Sequence, residues 1–253
     1  MSRGAVLGGA LAVVLALTAC SGPVDPRPSR GTPPVLVSTG CADLVVLGLR
    51  GAGQDAGRNQ GSGREILASV RAMSAELHRS SPATVRLEGV PYRAEVAPTS
   101  DFHRGNIEDG MGRTRARLDE LAERCPESRV AIIGFSQGAH VVHELVSDLE
   151  PEKQVALVAM IADPIRNPAD PITAWSYGDA APGPGAFGAG PELGARWRDR
   201  AITFCAARDE ICNWPEGGYE GPLSETHRHF YETPAHARST GRQLAKILRA
   251  NGV

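Results

Sequence analysis

The pentapeptide Gly134-Phe135-Ser136-Gln137-Gly138 sets a serine between two glycines at the spacing a nucleophile turn requires. A serine on a tight strand-to-helix turn needs tiny residues two positions to either side, because larger side chains there collide with the flanking strand and helix. Strain at such a turn exposes the hydroxyl. The backbone N–H of the next residue, Gln137, then opens a helix and faces the oxyanion of a tetrahedral intermediate. In a chain with 29 glycines the string alone is a weak signal, but its setting is specific: the apolar run RVAIIG (129–134) leads into it and an amphipathic stretch follows.

A serine is a poor nucleophile near neutral pH, so a histidine must take its proton and a carboxylate must orient that histidine. Around this type of turn the order along the chain is Ser, acid, His. The acids just beyond later apolar runs are Asp163 and Asp209. Asp163 precedes Pro164, a pairing that commonly just ends a strand. Asp209 lies between Cys205 and Cys212, where a disulfide closing that small loop would fix its carboxylate, so Asp209 is the expected acid. His103 precedes the acid, and His140 and His143 fall on the helix after the turn, where they are expected to face solvent or a neighbouring helix. His236 is expected in the first turn of the last helix. His227 and His229, in the loop before it, are the candidate bases.

These residues need a scaffold, and the pattern from Asp43 onward alternates short apolar runs with longer amphipathic ones. Strands are expected at 44–49, 85–90, 129–134, 155–162 and 201–206, and helices at 64–78, 107–124, 137–149 and 235–250. Strands this apolar must be covered on both faces, so the fold class is α/β: a three-layer α/β/α sandwich on a mainly parallel five-stranded sheet. Two long segments, 164–198 and 207–233, interrupt the alternation and follow strands. They therefore sit at the carboxyl edge, where open α/β sheets bind ligands. The Gly/Pro-rich first segment is too polar and broken for a large lid helix, so the site is expected to be open.

The chain has 253 residues, 42% hydrophobic and 22% charged, enough for one substantial core. With 27 Lys+Arg against 29 Asp+Glu there is no basic field for nucleic acid. Arg3 precedes an uncharged run from Ala5 to Ala19, the size of a signal-peptide core and short for a membrane span. The run ends Leu17-Thr18-Ala19-Cys20, which resembles a bacterial lipobox. The expectation is a signal peptide at 1–19, lipidation of Cys20, a Pro-rich tether over 20–40 and a domain from 41 to 253. Setting Cys20 aside leaves Cys41, Cys125, Cys205 and Cys212, an even set for an oxidising compartment.

Together these residues resemble the cutinase family of α/β-hydrolases, from about Cys41 to the C-terminus. The matching pieces are a Cys before the first strand, the turn Arg50-Gly51-Ala52-Gly53-Gln54, the run Arg124-Cys125-Pro126 before a strand ending in GFSQGA, and a Cys-x6-Cys loop enclosing an acid. The resemblance implies an exported, monomeric serine esterase for carboxylic esters of short to medium acyl chain, without a cofactor. It implies Ser136 as nucleophile, Asp209 as acid, and Gln137 and Ala52 as oxyanion-hole backbone donors. Family members often carry a tyrosine three or four residues after the base. His227 has Phe230 and Tyr231 there, so it is favoured, with His229 as the alternative. The family pairing joins Cys41 to Cys125 and Cys205 to Cys212; the first pair also suits two cysteines that each precede neighbouring parallel strands. One departure is Ala52, where fungal relatives carry a serine whose hydroxyl also serves the hole.

Other readings use the same residues: acyl transfer to an alcohol, phospholipid or thioester cleavage, or an envelope lipoprotein binding apolar ligands with the serine idle. A metal site on His227, His229 and His236 is disfavoured because no H-E-x-x-H motif or its inverse is present.

Overall fold

Among the described residues (1, 36–80, 82–97, 99–151 and 154–253), the computed structural model contains six strands in one wholly parallel sheet. The strands are Leu44–Leu49 (β1), Val85–Gly89 (β2), Arg129–Phe135 (β3), Val155–Ile161 (β4), Thr173–Trp175 (β5) and Ala201–Phe204 (β6), in the order β2-β1-β3-β4-β6-β5. The α-helices are Arg64–His78 (α1), Ser100–Arg124 (α2), Gln137–Asp148 (α3), Glu225–His229 (α4) and Pro234–Ala250 (α5). Cys20, the apolar run from Ala5 to Ala19 and spacer residues 21–35 lie outside the described residues. Among the described residues no helix is long and apolar enough to cross a membrane.

Successive strand side chains point to opposite faces, and that alternation divides the core in two. Leu44 and Val46 of β1, with Ala131, Ile133 and Phe135 of β3, pack under α1 and α5. Val45, Leu47 and Leu49, with Val130 and Ile132, pack under α2 and α3. All five of these β1 side chains are fully buried. Each such side chain contributes about 1.5–3 kcal/mol, whereas an exposed ion pair contributes at most about 1 kcal/mol. Burial on both faces therefore holds the sheet.

Three expectations need correction. The sheet has six strands, not five: β5 adds to its edge beside β6, within the segment expected to be irregular. Three residues, two of them exposed, carry no readable periodicity. Helix α2 begins at Ser100 rather than near 107, because Thr99 Oγ1 accepts the Phe102 N–H at 3.2 Å and Asp101 suits the positive helix start. His227 and His229 lie not in a loop but on the single turn α4, capped by Ser224.

The chain runs from β1 outward to β2 and then returns to β3 on the other side of β1. The resulting crevice at the carboxyl ends of β1 and β3 is the topological switch point, where such sheets place ligands. The amino edge is tied by Cys41–Cys125, Cα–Cα 5.5 Å, between the residues leading into β1 and β3. Cys205–Cys212, Cα–Cα 5.7 Å, closes the turn after β6 at the carboxyl edge. The first bridge closes an 84-residue separation, for which chain entropy gives about 4.6 kcal/mol, and the second closes a much smaller loop. A Cys41→Ala/Cys125→Ala double variant should lose roughly that amount in urea unfolding, with a larger m-value because the released unfolded chain is less compact, while its folded fraction keeps wild-type turnover.

Candidate active site

Ser136 follows β3 directly, with backbone φ 52° and ψ −118°, a conformation a non-glycine residue adopts only under constraint. The constraint is close packing. A Cβ on Gly134 would stand 2.2 Å from the Gly138 carbonyl oxygen, and one on Gly138 would stand 1.9 Å from that of Leu49. The two glycines thus let α3 begin hard against β1 and β3. The Ser136 N–H is held by the Ile161 carbonyl at 2.9 Å, which fixes the turn to β4 as well.

His227 Nε2 lies 3.1 Å from Ser136 Oγ, and His227 Nδ1 lies 3.0 and 3.1 Å from the two carboxylate oxygens of Asp209. Both residues are buried. Asp209 Oδ1 also accepts the Ile211 N–H at 3.0 Å, and Oδ2 accepts the Tyr231 hydroxyl at 2.6 Å. Tyr231 is fully buried and its oxygen accepts the Ala206 N–H at 3.0 Å. Burial, reinforced by the Asp209 charge, pushes its phenol well above the ordinary value, so it stays a neutral donor. The His227 backbone is fixed too: Ser224 Oγ accepts its N–H at 3.1 Å, and the Ser224 N–H is held by the Glu210 carboxylate at 2.8 Å. Arg64 of α1 clamps α4 from outside, donating to the Arg228 carbonyl at 2.7 Å and pairing with Glu232 at 2.8 Å.

A cavity of about 910 Å³ opens beside Ser136 and is lined by Ala52, Val96, Gln137, Pro164, Phe187 and Ile211 among others. One face of α2 (Ser100, His103, Arg104, Ile107, Glu108 and Met111) forms its far wall. Gln137 is the first residue of α3, so its N–H has no intrahelical partner. Ala52 belongs to a turn made rigid by buried Arg50, which donates to the Gln54, Val90 and Tyr92 carbonyls at 3.0, 3.4 and 2.7 Å. Gln54 in turn bridges the Gly51 N–H and the buried Glu65 carboxylate, at 2.8 and 2.7 Å.

His103 and His140 also line the cavity. The Gln137 amide donates to His103 Nδ1 at 3.4 Å, so His103 carries its proton on Nε2 and gives it to His140 Nδ1 at 3.1 Å. Burial lowers both, His140 to about 4, and both are neutral at pH 7. Of the two surroundings expected for these residues, solvent or a neighbouring helix, His140 has the second, meeting His103 of α2, whereas His143 has neither. His143 is fully buried, with Nδ1 2.6 Å from Asp163 Oδ2. Asp163 therefore does more than end a strand. Helix α3 is covered by the sheet, by α2 and by the 164–193 segment, so His140 turns to α2 and the cavity while His143 is enclosed against Asp163 and Pro191.

The other sequence candidates go elsewhere. His229 is half-exposed and its Nδ1 pairs with Glu232 at 2.9 Å. His236 Nδ1 bonds Thr233 and the Phe230 carbonyl at 2.8 and 2.9 Å. Tyr231, Glu210 and the Ser224 cap were not anticipated in these roles. The cap was readable as a serine with an acid in the following turn, and Tyr231 entered only as the tyrosine whose spacing favours His227.

Comparison with known proteins adds the family. Residues 40–236 match the family model described as Cutinase. Cutinase CUT2 of Pyricularia oryzae is 32% identical over 141 residues, which cover 53% of this chain and 60% of that relative. Carboxylesterase Culp1 of Mycobacterium tuberculosis is 26% identical over 209 residues, covering 82% of this chain and 81% of the relative. Two solved structures share the fold. A cutinase-like protein from Cryptococcus sp. has a TM-score of 0.62 at 17% identity, covering 85% of this chain and 97% of that one. The catalytic core of acetyl xylan esterase from Trichoderma reesei has 0.58 at 15%, covering 84% and 100%. With most of its length under the family model and the sheet of these relatives, the chain belongs to the cutinase family, and so to the carboxylic ester hydrolases.

Proposed function

We propose that the chain is an exported serine esterase working through Ser136, His227 and Asp209. The observation that carries this reading is the continuous line of contacts Ser136 Oγ to His227 Nε2, 3.1 Å, and His227 Nδ1 to Asp209, 3.0 Å. Ser136 Oγ bonds to the ester carbonyl carbon as His227 Nε2 takes the hydroxyl proton. The oxyanion is met by the N–H groups of Gln137 and Ala52. Collapse of the intermediate breaks the C–O bond to the alcohol, which leaves with the proton from His227. Water, deprotonated by the same nitrogen, then releases the acid and restores Ser136. Asp209 holds the tautomer with a proton on Nδ1 and stabilises the imidazolium that forms between steps. No cofactor enters.

The cavity volume and its apolar residues beside Ser136 support carboxylic esters of short to medium acyl chain. Two disulfides support an oxidising compartment. We assign residues 1–19 as a signal peptide, Cys20 as the lipidated residue, 20–40 as tether and 41–253 as a monomeric catalytic domain.

A fluorophosphonate probe should label the wild type and leave Ser136→Ala unlabelled. A folded wild type that takes no label and cleaves no p-nitrophenyl ester would instead favour a ligand-binding lipoprotein. His227→Ala should cut kcat on p-nitrophenyl butyrate by on the order of 10⁴ or more, while His229→Ala stays near wild type; the reverse result reassigns the base. Tyr231→Phe removes a hydrogen bond to a charged acceptor, worth about 1.5–3 kcal/mol, and should lower kcat roughly tenfold or more in steady-state assays with Ser136 still labelled.

A further inference from the structure

A second histidine–aspartate pair lies behind the cavity. Fully buried His143, on α3, has Nδ1 2.6 Å from Asp163 Oδ2 and Nε2 2.9 Å from the Pro191 carbonyl oxygen, with Asp170 Oδ2 3.9 Å from Nε2. A carbonyl only accepts, so Nε2 carries a proton, and the carboxylate at the other nitrogen takes an Nδ1–H. The ring is therefore an imidazolium between two carboxylates. The other charged or titratable groups nearby are His140 on the same helix, Arg166 beside Asp163 and Asp170, and Glu192 beside Asp170.

Both acceptors and the Asp170 carboxylate belong to one stretch, residues 163–193, which also supplies Pro164 and Phe187 to the cavity. Its own hydrogen bonds make it a unit. The Phe187 N–H meets the Pro164 carbonyl and the Gly190 N–H the Ile165 carbonyl, each at 2.8 Å, and the Leu193 N–H meets Asp170 Oδ1 at 2.8 Å. Holding Asp163 and Pro191 thus holds Phe187, whose ring meets His103 edge-on at 5.1 Å.

We propose that His143 is a positioning residue: as a cation it latches residues 163–193 to α3 and so sets the Phe187 wall against which substrate packs. The substrate part of this inference rests on the esterase reading above. The chain uses one pairing twice, with the Nε2 partner deciding the role. Opposite Ser136 the nitrogen exchanges a proton with a hydroxyl, and opposite Pro191 it must keep one.

Burial alone would lower the His143 pKa, but Asp163 and the Pro191 carbonyl, helped by Asp170, outweigh it and raise the value to about 9. A folded value above the unfolded 6.5 means that the latch is complete below the unfolded value and is lost as pH rises through about 9.

Nitrogen-detected histidine NMR of the wild type should show one ring protonated at both nitrogens at neutral pH, absent in His143→Gln, and losing a proton near the alkaline midpoint. In parallel, KM for p-nitrophenyl butyrate should rise between about pH 8 and 10 with that midpoint. In His143→Gln, KM should already be roughly tenfold higher at neutral pH, the scale of one or two lost methylene contacts, insensitive to pH, and with kcat changed far less. Should that variant not fold, Asp170→Asn should fold and shift the ring's midpoint downward. A ring neutral at pH 7, or a folded His143→Gln with wild-type KM, overturns the proposal. If the wild type cleaves no ester, the esterase reading fails separately. Protease cleavage within 163–193 must then accelerate across the ring's midpoint for the latch to stand, and an unchanged cleavage rate sinks it.

Discussion

Helix α3 starts so close to β1 that a single methyl group on Gly138 would stand 1.9 Å from the Leu49 carbonyl oxygen. That approach forces Ser136 to φ 52°, a backbone state costing about 1–3 kcal/mol. The buried strands on either side hold it there: Leu49 pairs with Gly134 at the end of the β1/β3 register, and Phe135 pairs with Ile161 of β4. Phe135 carries the constraint further. Its ring stacks on His227 at 5.2 Å with 21° between planes and meets Tyr231 edge-on at 5.9 Å. The residue that leads into the strained serine thus also floors the imidazole that faces it.

Buried histidines in this fold are sorted by their partners. His140 and His143 are separated by less than one turn of α3, yet burial takes the first down to about 4 while Asp163 and the Pro191 carbonyl take the second up to about 9. Desolvation is common to both, so it cannot be what distinguishes them. The difference is that His140 bonds another neutral ring and has only the partly exposed Glu144 carboxylate 3.7 Å away, whereas His143 bonds a buried carboxylate at 2.6 Å. Placing a cation next to two carboxylates under the 163–193 stretch also avoids leaving either acid buried alone, which would cost several kcal/mol.

The same distinction explains what could be read from the sequence. Strand runs such as LVVLGL, and the glycine spacing around Ser136, report packing against whatever lies nearby, so they survive as local patterns. The placement of Asp209 on a tight turn at the carboxyl edge was legible because two cysteines frame it. The choice between His227 and His229 was not legible from the residues themselves. It depends on a single turn of helix whose cap, Ser224, is secured by Glu210, fourteen positions away in sequence. Likewise nothing local to His143 announces Asp163 and Pro191. A helix pattern separates apolar from polar positions, and a histidine on the inner side of a covered helix is indistinguishable there from one on an open face.

Long irregular segments at the carboxyl edge have no strand ladder to satisfy their backbone groups, and buried ones must be paired. Here the pairing comes from charged or polar side chains planted on regular elements or at their ends. Arg50, at the end of β1, serves three carbonyls; His143, on α3, holds Pro191; Arg64, on α1, holds Arg228. Each anchor fixes a loop at one or two points and leaves the intervening residues free to vary. Phe187 and Val96, both exposed at the cavity, lie between such points rather than on them. Substrate preference in this fold can therefore change through residues like these while the anchors, and with them the geometry at Ser136, stay as they are.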